Sequence, residues 1–418
     1  MKVFKFGGAS VKDAEGVMNV KKVLDFTNQK NLVVVVSAMG KTTNALEEVV
    51  HCYFQEPESL EAKISEVYQF HRDILEGLFP NPSHEIFKKT NGWFESLRGF
   101  LDTNKSKNHA FVYDQVVSTG ELISTTIVSA YLNESGLENQ WLDVRTCICT
   151  DDYYRDAKVD WELTQANISE KVKKSGITIT QGFLGSESEN NFTTTLGREG
   201  SDYTAAIFAY CLNAENVTIW KDVHGVLNAD PRYFSETTLL HQISYREAIE
   251  LAFYGASVIH PKTLQPLQRK EIPLFVKSFE DPSLPGTCVG KGVQLDPMTS
   301  CFILRKNRVL ISLSSLDFSF MMEDNIGEVF SLLHHYKMKV ELMQNSAISF
   351  SVCIDNKFNK LPSLLAKLKE KFNVTFYEGV TLYTIRHSKP VEIQSLVQGK
   401  KVLLKQETGE TVQLIVNE

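Results

Sequence analysis

The chain has 418 residues, 43% of them hydrophobic and 23% charged, the proportions of a globular protein long enough for two or three domains. A formal net charge of -7 without any long basic tract argues against nucleic acid as a partner, and the longest apolar run, Leu32 to Met39, is far too short to span a bilayer. Seven scattered cysteines without a C-x-x-C pair read as free thiols, ten histidines show no zinc-ligand spacing, and no apolar leader follows Met1, so the expectation is a cytoplasmic protein with no membrane partner.

The first element is a short strand that runs into "KFGGAS", Lys5 to Ser10. Adjacent glycines weaken a strand, so Gly7 and Gly8 mark a place where something approaches bare backbone beside Lys5. Val11, Ala14, Val17 and Leu24 then fall on one helical stripe, and "LVVVVS" is the continuous apolar run of a strand buried on both faces of a parallel sheet. The opening is therefore β-loop-α-β with a glycine-rich first loop. "SAMGKTTN" ends like a P-loop, but Val35 stands where the pattern needs its first glycine, and no G-x-G-x-x-G follows a strand. Ser37 and Thr43 in this stretch form either a plain turn and helix start or a pair of hydroxyls offered to a ligand at the strand's carboxyl end.

Residues 43–101 read as mostly helical, and a long helix is predicted over 113–132 with Glu121 in its first turns, where a glutamate ordinarily makes a favourable dipole contact. Strands are expected at 141–144, 176–183, 191–196, 216–223 and 272–279, with helices at 202–213 and 244–253, giving one α/β domain with a mainly parallel sheet. "TLGREGSDYTAA", Thr195 to Ala206, passes from a strand through Gly197 and Gly200 into a helix beginning near Ser201 or Asp202. Free amides there, with Arg198, make an anion site, and Asp202 suits an N-terminal cap. In "WKDVHGVLNADPR", Lys221 and Arg232 are placed to flank a polyphosphate and Asp222 to orient a base, ribose or metal, although the same residues also make ordinary turns. In "GASVIHPKTL", Pro261 opens a helix and His260 reads as structural.

"EDPSLPGTCVGKG", Glu280 to Gly292, reads as a linker. After it comes a βαββαβ run over about 308–378, then a second, clipped copy from about 379 that borrows a strand from the linker side.

Six stretches, "KFGGAS", "VVVVSAMGKTTN", "STGELIST", "TLGREGSDYTAA", "WKDVHGVLNADPR" and "GASVIHPKTL", occur in the order and spacing of the aspartate kinases, and the chain resembles that family densely over residues 1–280. The resemblance implies the three-layer αβα sandwich of the amino-acid kinase fold over 1–282, a linker over 283–300, and paired ACT-type α+β regulatory units over 301–418, in the monofunctional arrangement. It implies ATP-dependent phosphorylation of the side-chain carboxylate of L-aspartate to 4-phospho-L-aspartate, towards lysine, threonine and methionine, with Mg²⁺ bridging the phosphates and no dedicated protein metal site. On the matching positions, Lys5 would neutralise the transferring phosphoryl group beside the amides of Gly7 and Gly8, with Asp202 organising that lysine. Ser37, Thr43, Glu121, Arg198 and Ser201 would hold the amino acid, Arg198 on its α-carboxylate and Glu121 near its amine. Lys221, Asp222, Leu227, Arg232 and Ser257 would lie along the nucleotide. A homodimer through the ACT units, with lysine or threonine as feedback effector, is also implied; a purely dimerising pair is the alternative.

The sequence departs from the family pattern at Ala9, where threonine is usual, at Glu199, where glycine is usual, at Ser257, where lysine is common, and at Leu227, where tyrosine is common. Glu199 brings a negative charge to the anion site unless it points away. Two other readings stay open: a sibling kinase with another acceptor, and a catalytically weak amino-acid sensor acting through its ACT units.

Overall fold

The computed structural model describes residues 1–256, 259–317 and 319–417, which group into two compact units. The first comprises Met1–Val226, Leu239–Ile249 and Val258–Asp296; the second comprises Leu227–Thr238, Glu250–Ser257 and Pro297–Glu418.

In chain order the elements to the end of the long helix are β1 (Lys2–Phe6), α1 (Ala14–Thr27), β2 (Asn31–Val36), α2 (Thr42–Gln55), α3 (Leu60–Leu78), α4 (Glu85–Thr103) and α5 (His109–Glu134). There follow β3 (Asn139–Leu142), β4 (Cys149–Thr150), α6 (Trp161–Lys171), β5 (Gly176–Gln181), β6 (Leu184–Glu187), β7 (Thr193–Thr195), α7 (Gly200–Leu212) and β8 (Val217–Lys221). Short pieces β9 (Val226–Leu227), β10 (Leu239–Leu240) and β11 (Gln242–Ser244) lead to α8 (Tyr245–Tyr254), α9 (Pro261–Lys270), β12 (Leu274–Ser278) and β13 (Thr287–Gly290).

Eight strands form one sheet in the order β11-β13-β12-β8-β1-β2-β5-β3. Its central strands are parallel, with Phe6 in register with Val36 on one side and with Trp220 on the other. Alternation sends Phe4 and Phe6 into a core shared with α1 to α5, where they meet Val17, Leu46, Ile64 and Val116. The opposite face carries α7, flanked by α6 and α9. This is the αβα layering that the resemblance implied. The uninterrupted Val33–Val36 run is wholly buried, as a strand covered on both faces requires.

The stretch expected to be a linker over 283–300 is not one. Residues Thr287–Gly290 form β13, antiparallel to β12 and parallel to β11. Pro282, Pro285 and Gly286 serve the turn between two paired strands; Gly286 sits at φ 70, and a Cβ there would run into the Val276 carbonyl oxygen. Turn and linker share a composition, and only the strand pairing separates them.

The second unit holds β14 (Cys301–Ser315), α10 (Glu323–His335), β15 (Lys339–Asn345), β16 (Ser349–Asp355), α11 (Leu361–Lys369), β17 (Phe372–Arg386), α12 (Pro390–Val397), β18 (Lys401–Thr408) and β19 (Thr411–Asn417). Its sheet order is β15-β16-β14-β17-β19-β18. The halves of β14 and β17 following Arg305 and preceding Val380 belong to the first βαββαβ copy, which closes around Ile311, Val329, Val352, Leu364 and Leu368. Their other halves pair Cys301 with Arg386 and Arg305 with Leu382, completing the clipped second copy. A bulge between Arg305 and Arg308 separates the two. Both arginines bond the buried Glu341 carboxylate there. Among the described residues, no helix is long and apolar enough to cross a membrane.

Candidate active site

Strands β8, β1 and β2 end side by side, and a cleft of about 530 Å³ opens above their carboxyl ends. Open α/β sheets bind ligands there. Lys5 points away from the Phe4 and Phe6 core, onto the α7 side of the sheet, where its Nζ lies 2.6 Å from Asp202 Oδ1. Lys221, closing β8, lies 3.7 Å from the other oxygen, Oδ2. Burial works against the Asp202 charge, but the two lysines outweigh it and hold the carboxyl below its usual range. Asp202 therefore does not cap α7; it fixes the position of two cations that open into the cleft.

The loop after β2 forms the next wall. Ser37 N donates to the Phe6 carbonyl, and the Ser37 carbonyl accepts from Ser124 Oγ at 2.6 Å. Gly40 N donates to the Gly8 carbonyl at 3.0 Å. A Cβ on Gly8 would lie 2.7 Å from the Ala38 oxygen and 2.8 Å from the Gly40 oxygen. Backbone packing between the two loops therefore demands the second glycine of "KFGGAS". Gly8 lines the cleft and Gly7 does not.

Glu121 stands deep in α5, twelve positions beyond its start at His109, not in its first turns. The helix began earlier than its periodicity predicted because Asn108 caps it, accepting from Ala110 N and Phe111 N. The dipole account of Glu121 falls with that boundary. Its carboxyl is fully buried and one oxygen, Oε2, has no hydrogen-bond partner among the described residues. Burial drives its pKa up to about 8, against the pull of Lys5 and the Ala38 backbone.

Arg198, Glu199, Gly200 and Ser201 line the same cleft as Ser37 and Thr43. Glu199 adopts the left-handed conformation, φ 53 and ψ 30, at the entry to α7. This is the conformation that a glycine takes without strain and that costs about 1–2 kcal/mol with a Cβ. Glycine, usual at this position in the family pattern, would carry no such cost.

Tyr113, Arg155 and Phe183 also line the cleft and lie outside every motif read from the sequence. Arg155 stacks over the Tyr113 ring, 3.9 Å from its centroid, and pairs with Glu47 at 2.9 Å. Its backbone N–H donates to Asp114, which also accepts from Thr195 N and Oγ1. Burial raises Asp114 to about 6, with these donors opposing it. No local pattern could have found Arg155, since its anchor lies 41 residues away.

The expected nucleotide residues divide. Lys221 is in the cleft. Asp222 is exposed and lines a separate groove of about 440 Å³ with Ala9, Ser10 and Lys12. The turn after Lys221 carries the chain out of the sheet, so consecutive residues face different hollows. Leu227 and Arg232 belong to the second unit, where Arg232 is exposed and forks onto Asp230 at 2.6 Å. Ser257 lies outside the described residues. His260 is structural: its Nδ1 accepts from Lys262 N, capping α9.

Residues 1–278 match the amino acid kinase family. The lysine-sensitive aspartokinase 3 of Escherichia coli (strain K12) is 34% identical over 92% of this chain and 86% of its own length. The chain belongs to the amino acid kinase family, in its aspartokinase branch. Aspartokinase 1, chloroplastic, of Arabidopsis thaliana is 31% identical over 84% of the chain, which spans 63% of that relative. Two solved structures of E. coli aspartokinase III, one with lysine and aspartate and one with aspartate and ADP, superpose at TM-scores of 0.84 and 0.81. Both are 30% identical to this enzyme and cover 100% of it and 96% of themselves.

Proposed function

We infer that this enzyme transfers the γ-phosphoryl group of ATP to the side-chain carboxylate of L-aspartate, giving 4-phospho-L-aspartate and ADP. The observation that carries this reading is the Lys5–Asp202–Lys221 arrangement at the strand ends, in a cleft that Arg198 also lines. An aspartate carboxylate has a reference pKa near 3.9 and is already ionised at neutral pH, so the nucleophile needs no general base. A carboxylate oxygen attacks the γ-phosphorus, the bond from that phosphorus to the β,γ-bridging oxygen breaks, and no proton moves. The obstacle is the approach of one anion to another, which fixed cations relieve. Lys5 and Lys221 supply that charge, and Asp202 keeps them from swinging away. Arg198 suits the α-carboxylate, and Glu121 regains its charge when an ammonium group arrives. Ser37, Thr43 and Ser201 add hydroxyls, and Gly8 lets the two loops meet.

Magnesium fits as an ion carried by the nucleotide. The Asp202 carboxylate is committed to two lysines, and among the described residues no cluster of three metal-ligating side chains falls in the cleft. When bound, the ion would neutralise phosphate charge. The C-terminal sheet, with two βαββαβ-type copies, supports an ACT-type regulatory pair that joins two chains and takes lysine or threonine.

The test supplies ATP, Mg²⁺ and hydroxylamine with aspartate or glutamate and measures hydroxamate and ADP. Hydroxamate from aspartate is expected. Product from glutamate alone, or from neither, would overturn the assignment.

A further inference from the structure

We propose that His51, Cys52 and Glu56 form a binding site for Zn²⁺, or a divalent transition-metal ion of like softness, at the carboxyl end of α2. The site lies outside the substrate cleft. Thr43 walls the cleft from the first turn of α2, and His51 follows about 12 Å further along the helix axis. Nothing in it depends on the phosphoryl-transfer chemistry.

A ring nitrogen of His51, Cys52 Sγ and a Glu56 carboxylate oxygen all lie within 4.8 Å of one another. Cys52 is only 3% exposed, and its free thiol has no hydrogen-bond partner among the described residues. Neither His51 nor Glu56 spends its side chain on a hydrogen bond or ion pair among the described residues, although both are exposed. Lys63, the cation whose charge acts on Cys52, is held by both oxygens of Glu66 at 2.9 and 3.0 Å. Glu56 N donates to the Cys52 carbonyl at 2.9 Å, which fixes the backbone of the third donor against the last helical turn. That turn carries no basic residue, so the negative end of the α2 dipole is left to favour a cation.

The donor types select the ion. Imidazole nitrogen, thiolate sulfur and carboxylate oxygen together suit Zn²⁺, whereas Mg²⁺ takes oxygen ligands, so this site is distinct from any ion carried by the nucleotide. Bonds of about 2.0–2.3 Å to a tetrahedral zinc place its ligand atoms about 3.3–3.8 Å apart. The exposed His51 and Glu56 side chains are free to close the remaining gap around the buried sulfur. Water would fill the fourth position. As the metal–sulfur bond forms, the thiol S–H bond breaks and its proton passes to solvent, with no change of oxidation state. Adjacent histidine and cysteine with a glutamate four residues on match none of the usual zinc spacings, so the site is invisible to sequence pattern.

The test titrates the full-length protein, freed of metal by chelator, with Co²⁺ and follows the sulfur-to-cobalt charge-transfer absorption. Zn²⁺ is then added, and its affinity is read by competition with a chromophoric chelator. Wild type should show the band, saturating at one ion per chain, and Zn²⁺ should abolish it. Cys52→Ser should remove the band. His51→Ala and Glu56→Gln, both at exposed positions, should weaken Zn²⁺ binding by at least about tenfold, no less than the loss of an outer-shell partner costs. Thermal melts in chelator show whether each variant is folded, and the two exposed variants keep the test decisive if Cys52→Ser is not. The readouts need no turnover, so they stand whether or not aspartate proves to be the substrate. A band absent from wild type, a band retained in folded Cys52→Ser, or a Zn²⁺ affinity that His51→Ala and Glu56→Gln both leave unchanged overturns the proposal.

Discussion

Lys5 and Glu121 are two ionisable residues in one cleft with opposite surroundings. Lys5 faces a buried anion, Asp202 Oδ1, at 2.6 Å. Lys5→Ala should lower kcat by about 10²–10³, the size of loss seen when one donor to developing charge is removed, with a smaller effect on the aspartate KM. A loss confined to KM would show that its contact is as strong before transfer as during it. Glu121 is the reverse case. Its folded pKa of about 8 lies above the ordinary 4.5, so between those values the native state binds more protons than the unfolded state and stability falls as pH rises. Glu121→Gln cannot ionise and should remove that slope. The thermal midpoint of the variant should exceed wild type at pH 9, and this gain should vanish near pH 4.5; a constant offset across that range would disprove the account. Asp202 works with the opposite sign: its stabilisation is full above about 3.8 and is lost as pH falls through its depressed value.

At the scale of elements, the loop after β1 makes a claim that separates two adjacent glycines. A methyl group on Gly8 would strike two backbone oxygens, whereas one on Gly7 would meet only the Lys5 ammonium at 3.4 Å, an ordinary contact. Gly8→Ala should therefore cost about 1–3 kcal/mol and raise the aspartate KM by displacing the Ser37–Thr43 wall. Gly7→Ala should cost much less, and equal losses in denaturant melts would refute the distinction. The sequence carried much of this level. Apolar β2, the glycine-rich loop and the Thr195–Ala206 passage were legible because local pattern and burial agree there. The start of α5 was not, because its cap is a single asparagine in a lysine-rich stretch without apolar periodicity. Arg155 was invisible for a different reason: its place depends on a helix and a strand remote in sequence that meet only in the fold. Glu199 was visible as a departure, but its left-handed backbone could be known only from the structure.

At the scale of the whole molecule, the expected regulation is tested by titrating lysine and threonine, singly and together, into the activity assay. Inhibition by at least one is expected; no response to either at millimolar concentration would leave the second unit as an assembly module. Sedimentation at several concentrations should give a dimer, and a monomer throughout would remove the pairing role. The tail's two-copy pattern was legible in the sequence, but its boundary was not. Turn residues around Pro285 concealed a strand that belongs to the catalytic sheet.

β14 and β17 each run 15 residues and serve both copies of the repeat. The two copies therefore have no seam along which to be cut. A fragment beginning at Val309 would strip the clipped copy of a strand, and one ending at Val380 would remove its share of β17 together with β18 and β19. Exchange of effector response between related enzymes must accordingly move the block from Cys301 onward as one piece. A graft of either copy alone would leave open sheet edges and should be recovered as aggregate.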